Sequence, residues 1–312
     1  MLPWQRTTWA GLADASQLPH ALLFCGPAGI GKRQFAERLS VRLVCEHETA
    51  CGICRACHLA SGGNHPDILV LRREEGKTEI TVDQARALNE FLVLTPHLAS
   101  RRVALIADAD HLNRSASNAL LKTLEEPPAG NYLLLVSDSP ARLIPTIRSR
   151  CQRIVLRRPT TEEGLGYLKE RAIPDPDAML ALTHGAALQA EAWPRDTPAL
   201  AVRLMADLEA VAAGTQSALD ATEAWHAVDL DIALSLLVDI AANLAQSVLA
   251  GAPASAMPAG WAARLRVLAS RLDLGQIFRL WDGALEAREL AAAPLDRRLV
   301  WDRLFTLVEA RL

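Results

Sequence analysis

The chain has 312 residues, 50% of them hydrophobic and 22% charged, which is enough apolar material for roughly two or three packed modules and carries no signature of disorder. Its 33 basic residues are offset by 36 acidic ones, for a net charge of -3. That balance excludes a histone-like, globally basic protein and leaves room for a local basic surface.

The N-terminal residues MLPWQRTTWAGL show no charged region followed by an apolar one, so no secretory leader is expected. The most apolar long stretch, Ile232–Ala252, is interrupted by Asp239, Asn243 and Gln246 at helical intervals and reads as an amphipathic core helix, with no membrane contact expected. Six cysteines in such a chain argue for metal or buried thiols before disulfides, and the expected address is the cytoplasm.

In chain order, His20–Cys25 reads as a strand running into a glycine-rich loop, and Gln34–Val44 as the helix that follows. Ile68–Leu71 is a second strand. Thr81 with Gln84 makes a capping box for a helix whose apolar stripe is Leu88, Phe91 and Leu92. Arg102–Ala107 is a strand ending at Asp108, Ser115–Leu124 a helix stopped by Pro127 and Pro128, and Tyr132–Val136 another strand. Pro140–Ile144 is expected as a short helix and Arg153–Leu156 as the last strand. Alternating strands and helices imply a mostly parallel, doubly wound α/β sheet. After Pro159 the pattern becomes helical throughout: Thr160 with Glu163 forms another capping box, Pro194 and Pro198 mark a linker, and breaks fall near Gly214, Pro253, Pro258, Gly275 and Pro294. The expected modules are an α/β domain over 1–158, a small helical module over 159–198 and an all-helical domain over 199–312. Asp296–Arg298 and the five tryptophans from Trp193 onward are assigned to packing.

The stretch from Gly26 to Arg33, GPAGIGKR, has the G-x-x-x-x-G-K spacing of a phosphate-binding loop between a strand and a helix. Gly26, Gly29 and Gly31 let backbone N–H groups curl around phosphate, the helix dipole adds positive potential, and Lys32 neutralises β/γ oxygens. The following Ser or Thr is missing: Arg33 has no lone pair for Mg²⁺ and adds a like charge. Asp108 stands where a strand-end carboxylate would serve the Mg²⁺ shell, but the next residue is Ala109, and Asp110, one further on, projects differently. With metal ligation and water orientation both compromised, the residues argue against Mg²⁺ and hydrolysis and leave ATP or ADP binding open. Asp108 as a plain turn or cap residue is the bland alternative.

Cys45, Cys51, Cys54 and Cys57 lie in one insertion, VCEHETACGICRACHLA. Paired C-x-x-C steps suit a closed, structural tetrahedral Zn²⁺. His47, His58 or His65 could replace a thiolate, but the Cys₄ set is complete without them; Cys25 and Cys151, beside strands, read as buried thiols. Between Ser139 and Arg158 there are six arginines (Arg142, Arg148, Arg150, Arg153, Arg157, Arg158) and no acid. A solvated face is the ordinary explanation. The functional one places Arg148 and Arg150, after a short helix in TIRSRC, where an arginine can reach a neighbouring subunit's γ-phosphate.

The loop, the Cys₄ insertion, ALLKTLEEPP (Ala119–Pro128) and SRC (Ser149–Cys151), in this order, resemble bacterial clamp-loader subunits of the AAA+ class over about Leu22–Leu156. The resemblance implies a AAA+ module, a helical lid and a helical collar in a hetero-pentameric ring, with gamma/tau ATPase subunits and a delta subunit as neighbours and the sliding clamp and primed DNA as partners of the assembled complex. It implies a non-hydrolysing stator of DNA polymerase III that supplies Arg150 in trans, and makes Ser137 the residue that could touch a phosphate at the end of its strand. The first interval of the cysteine set is shorter than usual in that family, and the lid stretch His184–Glu191 lacks the sensor arginine of active members. The alternatives are an ATP-hydrolysing gamma/tau-type motor with unorthodox residues at 33 and 109, and, more remotely, a zinc-stabilised nucleic-acid adaptor.

Overall fold

In the runs ALLFC, VALI and YLLLVS every residue is buried, as in strands covered on both faces. The computed structural model describes residues 1–12, 18–74, 76–250, 260–290 and 296–309, and divides into two compact units, Met1–Glu163 and Gly164–Leu312. The first unit opens with a 3₁₀ turn at Pro3–Gln5 and continues as α1 (Arg6–Gly11), β1 (Ala21–Cys25), α2 (Lys32–Val44), α3 (Arg55–Ser61), β2 (Ile68–Leu71), α4 (Val82–Val93), β3 (Val103–Ile106), α5 (Arg114–Glu125), β4 (Tyr132–Ser137), α6 (Pro145–Arg150) and β5 (Gln152–Val155). The five strands form one sheet in the order β2-β3-β4-β1-β5, every pair parallel.

Because side chains alternate along a strand, the two faces separate cleanly. Leu22, Phe24, Leu105, Leu134 and Val136 pack against Phe35, Ala36, Leu39 and Leu43 of α2. The alternate residues Leu23, Cys25, Ala104, Ile106, Leu133 and Leu135 pack against Leu88 and Leu92 of α4, Leu120 and Leu124 of α5, and Ile147 of α6. Each fully buried Leu or Phe stabilises the fold by about 1.5–3 kcal/mol, so these two layers hold the sheet. The edge strand β5 instead exposes Gln152, Arg153 and Val155, with an arginine that discourages further strand pairing.

Both capping boxes form: Thr81 N donates to Gln84 Oε1 at 2.9 Å, and Thr160 N to Glu163 Oε2 at 2.8 Å with Glu163 N returning to Thr160 Oγ1 at 3.2 Å. The Arg142–Arg158 region differs from expectation. Pro140–Arg142 is a 3₁₀ turn, and the helix lies further on, at Pro145–Arg150, where Pro145 takes the first-turn position that tolerates its missing N–H. Arg148 and Arg150 are therefore inside a helix, not after it, and β5 begins at Gln152. The helices α1 and α3 have no counterpart in the sequence reading, being too short to show a period.

From α7 (Thr161–Glu170) onward the described residues are helical: α8 (Pro176–Leu182), α9 (Ala187–Ala192), α10 (Thr197–Ala212), α11 (Ala218–Trp225), α12 (Leu230–Ala250), α13 (Trp261–Ala269), α14 (Leu274–Leu290) and α15 (Arg297–Thr306). Pro198 lies in the first turn of α10 and so starts a helix instead of sitting in a linker. The breaks expected at Pro253, Pro258 and Pro294 lie outside the described residues. α12 is long and apolar enough to cross a membrane, but Leu234, Leu237, Ile240, Ala241 and Leu244 are buried in the unit's core, with Ile277 and Leu280 of α14 and Leu265 of α13. Trp225, Trp261 and Trp301 belong to the same core, Trp225 and Trp301 with ring centroids 5.4 Å apart, and Trp193 and Trp281 pack at its margin. Asp296 caps α15 by accepting from Arg298 N at 2.9 Å. In the stretch His184–Glu191, Ala187 and Ala190 are buried and Glu191 accepts from Tyr167 Oη and Arg171 Nε.

Candidate functional site

The chain leaves β1 at Cys25 and turns through Gly26–Gly31 into α2. At Gly26, with φ 151°, a Cβ would lie 2.4 Å from Leu156 O, so the end of β5 approaches closer than any side chain allows. Gly29 and Gly31 have φ 70° and 83°, the left-handed region that disfavours other residues. The outer side of the loop is fixed by a contact the sequence reading missed. Trp4 Nε1 donates to Ile30 O at 2.9 Å, and Gln5 Nε2 donates to Ile30 O at 3.1 Å and Gly31 O at 2.9 Å, both side chains being buried. Pro3 at the first position of their turn is the only local signal that could have marked them.

The charged residues around the loop are engaged within the chain. Lys32, its side chain 3% exposed, donates from Nζ to Pro27 O at 2.5 Å and ion-pairs with Asp138, whose side chain is 56% exposed. Asp108 Oδ2 accepts from Arg73 N at 3.3 Å. Ala109 is fully buried. Asp110 turns away from Asp108 toward the end of β4, where Oδ1 accepts from Ser137 Oγ at 2.6 Å and Oδ2 from Asp138 N at 2.6 Å and Ser139 N at 3.0 Å. Arg33 pairs with Glu37 one helical turn on, at 2.9 Å. Ser137 is registered beside Cys25, where β1 enters the glycine loop, and its neighbour Asp138 pairs with Lys32, whereas position 33 offers no metal-binding hydroxyl and position 109 no carboxylate. Asp138 carries no motif signature beyond following Ser137.

The four cysteines come together. All their Sγ atoms lie within 4.8 Å of one another, with Cys45–Cys51 at 3.7 Å and Cys45–Cys54 and Cys51–Cys57 at 3.9 Å. A tetrahedron of thiolates about 2.3 Å from a shared ion has edges of about 3.8 Å, so the set fits a closed structural metal site. Cys54 precedes α3 and its sulfur accepts from Cys57 N at 3.4 Å, the usual outcome of a C-x-x-C turn opening a helix. Glu48 and Ala50 adopt φ of 54° and 56°, so the short first interval closes at the expense of backbone strain. Burial pushes the Cys45 thiol up, but N–H groups of Cys51, Thr49 and His47 more than reverse this and bring it to about 5. Burial holds Cys57 up at about 12. No histidine joins the set among the described residues; His65 is buried elsewhere, accepting from Asp67 N at 3.1 Å. Cys25 and Cys151 are buried thiols outside it, and burial pushes Cys151 up to about 12.

Arg150 ends α6. Its guanidinium, with the side chain 35% exposed, donates from Nη1 to Thr146 O at 3.2 Å and meets Glu125 Oε1 at 2.5 Å. Glu125 is the first glutamate of TLEEPP, a contact that neither motif announces alone. Arg142 and Arg148 are exposed, and Arg157 is held by Glu163 at 2.6 and 2.7 Å.

A parallel sheet in this strand order, with the glycine loop between β1 and α2 and a cysteine knuckle after α2, defines a AAA+-type P-loop module followed by helical modules. The fold as a whole is similar to that of a DNA polymerase III gamma subunit-related protein from Thermotoga maritima, with a TM-score of 0.50 at 17% identity over 96% of this chain and 97% of that one. The chain belongs to the DNA polymerase III delta subunit family, whose model matches residues 5–160. It is 45% identical over 197 residues to the delta' subunit of Pseudomonas aeruginosa, 61% of this chain and 60% of that one, and 37% identical over 185 residues to the delta' subunit of Escherichia coli, 57% and 55%. It is also 32% identical over 154 residues to the tau subunit of Bacillus subtilis, 48% of this chain and 27% of that one. The matched segment thus spans about three fifths of the length of the delta' relatives.

Proposed function

We propose that this chain is a delta-prime-type subunit of a bacterial DNA polymerase III clamp loader, acting in the cytoplasm as a non-hydrolysing stator. Arg150 serves in trans, stabilising charge on the γ-phosphoryl group bound by an adjacent gamma/tau-type ATPase subunit. The lid over 159–198 and the collar over 199–312 join it to those subunits and to a delta subunit in a hetero-pentamer, which engages the sliding clamp and primed DNA as a complex. Cys45, Cys51, Cys54 and Cys57 hold a structural Zn²⁺ that stiffens the first module and takes no part in chemistry. Polymerisation is a property of the larger holoenzyme.

The observation that carries this reading is the contrast between two sites. The chain's own loop lacks the groups for Mg²⁺ ligation and water orientation at Arg33 and Ala109, while Arg150 stands at a helix end, about a third exposed, on Thr146 O and a half-exposed glutamate. An arginine finger is worth roughly 10³–10⁵ in rate at the site it serves. The test is ATP hydrolysis, stimulated by clamp and primed DNA, in a loader reconstituted with gamma-type subunits. Arg150→Ala should assemble normally by size exclusion and lose the contribution of the neighbouring site. An unchanged rate in an intact complex overturns the reading, and turnover on the order of 1 s⁻¹ by the isolated chain with Mg²⁺ favours the motor alternative.

A further inference from the structure

We infer that Asp138 is a built-in anionic plug that occupies the place of a phosphate at Lys32 and keeps polyphosphate ligands out of the loop. The phosphate-binding features are otherwise preserved. Gly26, Gly29 and Gly31 have positive φ of 151°, 70° and 83°, Trp4 and Gln5 hold the carbonyls of Ile30 and Gly31, and Lys32 is buried with its ammonium on Pro27 O of the turn. A buried ammonium needs a counter-charge, and here the counter-charge is a carboxylate from the segment after β4.

The placement of Asp138 is built by a second carboxylate. Asp110 accepts from Ser137 Oγ, Asp138 N and Ser139 N, so both of its oxygens pin the 137–139 segment against the end of β3. That segment then presents the Asp138 side chain to Lys32, with the carboxylate's side chain more than half exposed while the lysine's is buried. An arriving di- or triphosphate must break the Lys32–Asp138 pair and sit beside the displaced carboxylate, a like charge close by in a partly desolvated site. The same hydrogen bonds engage Ser137, which would otherwise be available to a phosphate oxygen. Exclusion of nucleotide is thus separate from the absence of hydrolytic groups at positions 33 and 109.

The inference goes beyond the trans-acting role of Arg150 and is tested apart from it, by binding to the full isolated chain. Titration calorimetry with ADP and with inorganic pyrophosphate, with and without Mg²⁺, compares the native protein with Asp138→Asn, Asp138→Ala and Asp138→Glu. The Asn and Ala variants should bind about tenfold or more tightly than the native chain, with Glu remaining native-like and Lys32→Ala in the Asp138→Asn background abolishing the gain. Either neutral variant suffices if its melting transition is cooperative. Equal affinity of native and neutral variants, or a gain that survives Lys32→Ala, overturns the plug. Loader stimulation by Arg150 stands whichever way this falls.

Discussion

Arg150 Nη2 lies 2.5 Å from Glu125 Oε1, so the arginine of the SRC triplet rests on the first glutamate of TLEEPP. Both side chains are substantially exposed, and an exposed pair of this kind contributes about 0–1 kcal/mol. Glu125 therefore orients the guanidinium without trapping it. In Glu125→Gln the melting temperature should move by no more than about 4 °C, and the stimulated hydrolysis of a reconstituted loader should stay within about threefold of native. A loss as large as that of Arg150→Ala would mean that the glutamate itself is required at the neighbouring site.

Removing the metal should have the opposite scale of effect. Structural thiolate sites contribute about 10–16 kcal/mol to folding in small domains, and here the knuckle is attached to α2 through a buried arginine: Arg42 Nε donates to Glu48 O at 2.9 Å and Nη1 to Leu12 O at 2.8 Å. Chelation should lower the transition of the first unit by about 10 °C or more, as read by calorimetry, with elemental analysis returning one zinc per chain in the untreated protein. Superimposable melting curves before and after chelation would refute a structural ion.

The α/β half was legible because its strands are short apolar runs and its motifs are contiguous: GPAGIGK, the two C-x-x-C steps and the capping boxes each act over a few residues. What stayed hidden was held together by long-range contacts. Trp4 and Gln5 reach Ile30 and Gly31 across about 26 residues of chain, Asp110 meets Ser137 between two strand ends, and Glu125 meets Arg150 between two helices. No periodicity encodes such pairs. The misplaced helix near Arg148 has a local cause: Pro140 and Pro145 are both competent helix starts, Pro140 opening a 3₁₀ turn and Pro145 the helix, while Leu143 and Ile147 are both buried in the sheet's second layer.

Asp67 is a further residue whose weight only the fold reveals. Fully buried, it accepts from His97 N at 2.6 Å, Leu98 N at 2.7 Å and Ala99 N at 2.8 Å, with Arg102 at 3.6 Å. Burial alone would raise its carboxyl, but these N–H donors and Arg102 outweigh burial and leave its pKa below the ordinary value. A depressed carboxylate contributes stability in full above its unfolded pKa of about 3.9, and that contribution is lost as pH falls through the lower folded value. Asp67→Asn should therefore be less stable than native at pH 7 and converge on it as pH falls through the lowered folded value. Parallel stability curves across that range, from urea melts, would show that the ionised form is not what is bound. Asp67→Ala, which leaves several buried donors unpaired, should cost about 3–5 kcal/mol.

The glycine loop makes the last prediction, which separates its shape from its chemistry. At Gly26 a Cβ would collide with Leu156 O at 2.4 Å, and φ is 151°. Neither the end of β5 nor the turn can yield without disturbing the pairing of Cys25 with Val155. Gly26→Ala should therefore destabilise the first unit by about 1–3 kcal/mol, in the range of a strained backbone position. At Gly52, also in the left-handed region with φ 76°, nothing lies within 4 Å of an added Cβ, so only the backbone cost of about 1 kcal/mol applies to Gly52→Ala. Denaturant melts of the two variants should rank Gly26→Ala as the more damaging. The reverse order would mean that β5 moves away from the loop without loss, and that the close approach of Leu156 does not fix the loop's shape.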